Sequence, residues 1–229
     1  MSISDNLKTV VDRITAAALR AGRDPSTVKL AVVTKTVDIE RIREAVAAGA
    51  AILGENRVQE AKEKIEKLGP IAGWHLIGHL QSNKAKYAVK LFDLIHSVDN
   101  VELAKEVDKQ AARIGKVQNV LIEVSIAGEA SKAGIAMQDA AALVREAAKL
   151  KNIAVRGLMT IPPFLIDPEE VRPYFRKLRE LSEQIAKENI PNVSMKELSM
   201  GMSGDFEVAI EEGATMVRVG TAIFGERNR

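Results

Sequence analysis

Leu30-Ala31-Val32-Val33-Thr34-Lys35 is a short apolar run that ends in a lysine. Continuous runs without alternation are strands buried on both faces, as in the centre of parallel α/β sheets. Such strands deliver their last residue to the mouth of the sheet or barrel, where active sites are built. Burial penalises an ammonium and lowers its pKa, and a neutral amine in such a place is a nucleophile for an aldehyde. The plainer reading of the segment alone is an ordinary solvated lysine at a strand end.

The flanking sequence alternates in the same manner. Ser4 opens an amphipathic helix with Leu7, Val10, Val11, Ile14 and Ala18 on its apolar face, followed by Gly22. After the first strand, Asp38 caps a helix carrying Ile39, Ile42 and Val46 that stops at Gly49. Short apolar runs recur at 50–53, 74–77, 94–95, 120–124, 155–159, 197–199 and 216–219. Helical patterns separate them, with Ser82 and Asn100 as caps, a helix near 140–150 and another at 174–185. About eight β-then-α units follow one leading helix, which predicts a single-domain (β/α)₈ TIM barrel over 1–229. An open doubly wound sheet would place a Gly-rich dinucleotide loop after its first strand, and Lys35-Thr36-Val37 is not one.

Composition narrows the function classes. The 229 residues carry a net charge of +2 and no cysteine, so disulfides, thiolate catalysis and Cys-type zinc sites are excluded. The pI near 8.7 comes without a basic stripe, which argues against nucleic acid. No apolar run reaches a membrane span, and the N-terminus lacks a signal-peptide layout. A cytoplasmic protein is expected, and the charged outer helix faces favour a monomer.

In a barrel, the residues after each strand share one face: Lys35, Asn56, His79, Ser97, Ser125, Met159-Thr160, 199–203 and 218–221. Ser199-Met200-Gly201-Met202-Ser203 follows the seventh strand and Gly220-Thr221 the eighth. These are the loops in which barrels most often hold phosphate, through backbone N–H groups, close-approaching glycines and hydroxyls. Arg218 interrupts an apolar strand, so it needs either an internal acceptor such as Glu123 or a ligand atom over the barrel centre. An amine for an imine, a phosphate cradle and a buried arginine together suggest pyridoxal 5′-phosphate (PLP), with Arg218 donating to an unprotonated ring nitrogen. A three-histidine zinc site from His75, His79 and His96 is the competing chemistry, but no carboxylate pattern accompanies it.

Longer motifs carry a resemblance. They are Val32-Val33-Thr34-Lys35, Gly54-Glu55-Asn56-Arg57-Val58-Gln59-Glu60, Trp74-His75-Leu76-Ile77-Gly78-His79-Leu80-Gln81-Ser82-Asn83-Lys84, Ser131-Lys132-Ala133-Gly134 and Arg156-Gly157-Leu158-Met159. Leu198-Ser199-Met200-Gly201-Met202-Ser203 and Arg218-Val219-Gly220-Thr221-Ala222-Ile223-Phe224-Gly225 complete them. Over nearly its whole length the chain resembles the YggS/PROSC family of PLP-binding homeostasis proteins, whose barrel is similar to the N-terminal domain of alanine racemases. The resemblance implies a PLP Schiff base on Lys35 and phosphate at Ser199, Met200, Gly201, Ser203, Gly220 and Thr221. It also implies Arg218 at the pyridine nitrogen, with Asn56 and Met159 lining the ring. His79 at its strand end is expected to line the same pocket. Ser125 departs from the asparagine common in such proteins.

The family resemblance implies a carrier that buffers PLP and passes it to apo-enzymes, without catalytic residues. Racemases of similar fold add a β-rich domain with a tyrosine acid/base, whereas this sequence closes at Arg229, and Tyr87 and Tyr174 fall on predicted helices. A weak amino-acid racemase with Lys35 as base is the alternative. Lys132, in the loop after the fifth strand, is a candidate second amine for release by transimination.

Overall fold

A computed structural model describes residues 2–127 and 133–226. Lys132 lies outside the described residues. The strands in chain order are β1 (Lys29–Val33), β2 (Ile52–Glu55), β3 (Gly73–Leu76), β4 (Leu94–Val98), β5 (Gln118–Ser125), β6 (Ile135–Ala136), β7 (Ile153–Met159), β8 (Val193–Ser199) and β9 (Met216–Val219). All pairings are parallel. The order β4-β3-β2-β1-β9-β8-β7-β5 closes through β4–β5, giving the expected eight-stranded barrel. Two-residue β6, which the sequence pattern did not reveal, pairs with the end of β5.

Around the barrel run α1 (Ile3–Arg20), α2 (Ile39–Ala47), α3 (Val58–Leu68), α4 (Ala85–Leu91), α5 (Val101–Ala112), α6 (Ala140–Ala148), α7 (Pro168–Lys187), α8 (Phe206–Glu211) and α9 (Thr221–Phe224). Two expected caps hold: Asp38 accepts from Arg41 N, and Asn100 accepts from Leu103 N at 2.8 Å. Each such cap contributes about 1 kcal/mol. The first helix instead starts at Ile3, one residue before Ser4, with Ser2 as its N-cap. Ser2 and Asp5 form a reciprocal capping box, which satisfies two orphan donors at once. Val11, expected on the buried face, is 45% exposed. α1 packs against α2, α8 and α9 through Leu7, Val10, Ile14 and Ala18.

Two further boundaries differ from the sequence reading. The helix expected at 174–185 begins earlier, at Asp167-Pro168: Asp167 accepts from Glu169 N, and Pro168 occupies the first turn, where its missing N–H costs nothing. Ser82 opens a short 3₁₀ turn through Lys84 without a side-chain cap, and α4 follows at Ala85.

Outward-facing strand residues such as Val32, Leu53, Ile95 and Ile122 join the core beneath the helices. Ala31, Leu94, Leu121, Met159 and Met216 form a separate apolar layer inside the barrel. That layer is the floor on which the site stands.

Candidate functional site

A cavity of about 590 Å³ opens at the C-terminal ends of the strands. Lys35, Asn56 and His79, which follow β1, β2 and β3, stand on its wall. Arg218 and Glu123 reach it from β9 and β5, and the turns at 202–205 and 220–221 form its far side. The loop between β7 and α7 supplies an apolar lip in which Phe164 is 90% and Ile166 95% exposed. Another cavity of about 570 Å³ lies between α1 and the starts of β1 and β2, lined by Leu7, Lys8, Val11 and Lys29. It gathers no comparable set of chemical groups.

Arg218 is buried and gives its hydrogen bonds to Ser199 Oγ at 2.6 Å and the Thr160 carbonyl at 2.9 Å, rather than to Glu123. Ser199 Oγ therefore accepts from Arg218 and directs its own proton to His96 Nδ1, 2.9 Å away. His96 must then carry its proton on Nε2, which donates to His75 Nδ1 at 3.1 Å. This assignment follows from donors meeting acceptors. Burial, followed by the nearby His75 and Arg218 charges, holds His96 well below its ordinary pKa of 6.5. Burial likewise pushes His75 down to about 4. Both imidazoles are thus neutral at pH 7, as the chain of bonds requires. Arg218 is itself pushed down to about 10 by burial and stays charged.

The three histidines do not converge. His75 and His96 lie inside the barrel, whereas His79 stands exposed at the rim with Nδ1 3.9 Å from Asp99. Among the described residues no cluster of three or more His, Asp or Glu side chains could hold a metal ion.

The turn after β8 departs from expectation in register. Ser199 points inward beneath the cavity, and Met200 points outward into the core under the helices. Gly201, at φ +93°, lies against Phe206 and Ala209, so a Cβ there would meet Ala209 Cβ at 2.6 Å. None of the three is on the cavity wall, and Met159 belongs to the apolar floor. The wall is made by Met202, Ser203, Gly204 and Asp205. The cause is the two-residue period of a strand: its side chains alternate between faces, so not every residue near its end reaches the mouth.

Donors do converge where the last two loops meet. Ser203 Oγ accepts from Gly220 N and Ala222 N, each at 3.4 Å, and lies 3.1 Å from Thr221 Oγ1. Two backbone N–H groups and the Thr221 hydroxyl thus gather around Ser203 Oγ at the wall.

Glu123 was read only as a possible partner of Arg218. Burial first, then the like charge of Asp99, pushes its carboxyl up to about 7 against the opposing effect of Arg218. Its Oε2 has no hydrogen-bond partner among the described residues.

The close packing of β2 and β3 at the mouth needs Gly78. A Cβ there would lie 2.5 Å from the Asn56 carbonyl and 2.8 Å from Asn56 Cα, both backbone atoms. Gly78→Ala is expected to push the two strand ends apart at a cost of about 1–3 kcal/mol. Urea unfolding followed by far-UV circular dichroism measures it. An unchanged midpoint would show that Asn56 yields freely.

Comparison with known proteins places these features. The family model for the alanine racemase N-terminal domain matches residues 6–228. A pyridoxal phosphate homeostasis protein of Aquifex aeolicus is 50% identical over 228 residues, covering 99% of both chains. One from Escherichia coli is 41% identical, covering 99% of this chain and 97% of its own. Among solved structures, PipY of Synechococcus elongatus with PLP bound superposes with a TM-score of 0.82 at 38% identity, covering 94% of this chain and all of PipY. A Clostridium difficile alanine racemase matches at a TM-score of 0.77 but 15% identity, over 98% of this chain and 58% of the racemase, so it speaks for the fold alone. With identities of 40–50% along the full length, the chain belongs to the family of pyridoxal phosphate homeostasis proteins, built on the alanine racemase N-terminal domain.

Proposed function

We propose that this chain binds PLP covalently through Lys35 and takes part in intracellular PLP homeostasis, buffering the cofactor and handing it to apo-enzymes. The observation that carries the reading is the meeting of three groups on one wall: the Lys35 amine, the buried Arg218 and the donors at Ser203, Gly220 and Thr221. These residues fit the group. PLP brings an aldehyde that condenses with a primary amine with loss of one water, an electron-poor ring and a phosphate.

Lys35 supplies the amine. Ser203, Thr221 and the Gly220 and Ala222 N–H groups offer a phosphate the donors they now share among themselves. Arg218, its guanidinium fixed by Ser199 and Thr160, would be the donor toward the ring nitrogen. Because Arg218 keeps its proton at neutral pH, a ring nitrogen facing it would stay unprotonated and the ring would be a weak electron sink. Asn56 and His79, on the same wall, would flank the ring. Ser199 acts through Arg218, Met159 closes the floor, and Met200 and Gly201 shape the turn.

Holding rather than turnover is supported by the relatives, which are named as homeostasis proteins. Tyr87 on α4 and Tyr174 on α7 stand off the cavity wall, so neither is placed as an acid opposite Lys35. The proposal takes 1–229 as one barrel domain acting as a cytoplasmic monomer. The absence of cysteine and the charged outer helix faces support it, and no described helix is long and apolar enough to cross a membrane.

The test is a PLP titration followed by absorption spectroscopy, borohydride reduction and peptide mapping. The expected result is one PLP per chain with the label on Lys35. A preparation that stays colourless in excess PLP, or a label at another position, overturns the reading. Loaded protein should also restore activity to an apo-enzyme that requires PLP.

A further inference from the structure

A buried ionic cluster lies between the ends of β1 and β2 and helix α3, and the cofactor reading does not use it. Lys64 Nζ donates to the Thr34 carbonyl at 2.6 Å, to Glu55 Oε1 at 2.7 Å and to Glu60 Oε1 at 2.7 Å. Those three acceptors account for all three ammonium protons. Glu55 Oε1 also accepts from Thr34 Oγ1 at 2.6 Å, and Glu60 Oε1 accepts from Thr36 N at 2.5 Å. One ammonium therefore holds both neighbours of Lys35: Thr34 directly, and Thr36 through Glu60.

The turn between them is not relaxed. Thr36 has φ +58°, a left-handed conformation that β-branched residues avoid. Such strain persists only where the surroundings hold it, and it gathers at functional sites. The cluster is costly too. Glu55 is fully buried, its Oε2 lacks a hydrogen-bond partner among the described residues, and burial raises its pKa against the pull of Lys64 and Thr34. A helix-to-sheet contact made only for stability is served better by apolar residues of the same volume.

We infer that Lys64 and Glu60 are positioning residues for the Lys35 amine: they hold the Thr34–Thr36 turn in its left-handed form and so aim Lys35 into the cavity. The inference rests on the proposed capture of PLP by Lys35. Glu60 is the member to test, because it sits half-exposed at the edge of the cluster and its loss leaves the core filled.

Two readouts are taken on wild type, Glu60→Ala, Glu60→Gln and Lys64→Met, with far-UV circular dichroism confirming the fold. The first is hydrogen exchange at the Thr36 amide without PLP. The second is the rate at which the imine absorbance appears after PLP is mixed in. Loss of a charge-assisted hydrogen bond corresponds to roughly tenfold. Glu60→Ala and Lys64→Met should therefore exchange about tenfold faster at Thr36 and capture PLP about tenfold more slowly. Glu60→Gln keeps a carbonyl acceptor for Thr36 N–H and should recover most of both rates, which a loss of general stability would not reproduce. Wild-type capture rates in Glu60→Ala, or no recovery in Glu60→Gln, overturn the inference. Should wild type itself form no imine, the cofactor reading fails, and the Thr36 exchange rates alone decide whether the clamp exists.

Discussion

Lys35→Ala is expected to fold normally, to bind PLP only weakly and to give no borohydride-stable adduct. Among the described residues, Lys35 is the one lysine on the cavity wall. Its side chain is half-exposed and fills no part of the apolar core, so truncation should change stability by less than about 1 kcal/mol. What remains is the anion contact at Ser203, Gly220 and Thr221 together with Arg218. Those groups still hold a phosphate and a ring, but without the covalent bond. A fall in affinity of roughly 100-fold or more, about 2.8 kcal/mol, is expected. Equilibrium dialysis gives the affinity, and intact mass after reduction gives the adduct. An adduct of wild-type mass in Lys35→Ala would move the capture site elsewhere. Lys132, which lies outside the described residues, would be the first position to map. If Lys35→Ala gives no adduct while Lys132→Ala transfers PLP to an apo-enzyme at the wild-type rate, release by transimination through Lys132 is also ruled out.

The barrel was legible because its signals are local. Apolar runs buried on both faces, caps such as Asp38 and Asn100, and stop glycines depend only on neighbouring residues. β4 was harder to see. His96 and Ser97 made it look like a strand that ended at Ile95, whereas all five residues from Leu94 to Val98 are buried. A polar strand residue is disguised when its partner lies far off in sequence, as Ser199 does for His96. Lys35 and Arg218 were legible because a cation in an apolar strand context demands an explanation from sequence alone. The wall formed by 202–205 was legible only through its first residues, at the end of the 199–203 run, because the turn after β8 depends on Gly201 packing against Ala209 and Phe206. Glu123 passed as a salt-bridge partner because nothing local reveals that Arg218 spends its donors on Ser199 and Thr160.

Glu123→Gln is expected to stabilise the protein without PLP, by an amount that grows as pH rises from 4.5 toward 7 and is full above neutral pH. Burial and Asp99 raise the Glu123 pKa from 4.5 to about 7 in the folded chain. The folded state therefore binds this proton more tightly than the unfolded state does. Stability linked to the group is greatest below pH 4.5, is lost as pH rises toward 7, and is constant beyond that. A gap of roughly 2.5 pH units corresponds to about 3 kcal/mol at 1.36 kcal/mol per unit. Glutamine has the same shape and no charge at any pH. Its amide still leaves a polar atom buried, which returns roughly 1 kcal/mol of that gain. Glu123→Gln should therefore match wild type within about 1 kcal/mol at pH 4.5 and exceed it by about 2–3 kcal/mol at pH 8. His75 works in the opposite direction: its folded pKa of about 4 means that stability is lost as pH falls from 6.5 toward 4. That contribution is common to both proteins and cancels in their difference. Urea unfolding at pH 4.5, 6 and 8 gives the difference curve. A flat difference, or one that favours wild type at high pH, would mean that Glu123 is ionised comfortably in the folded barrel, with its carboxylate solvated at the cavity wall.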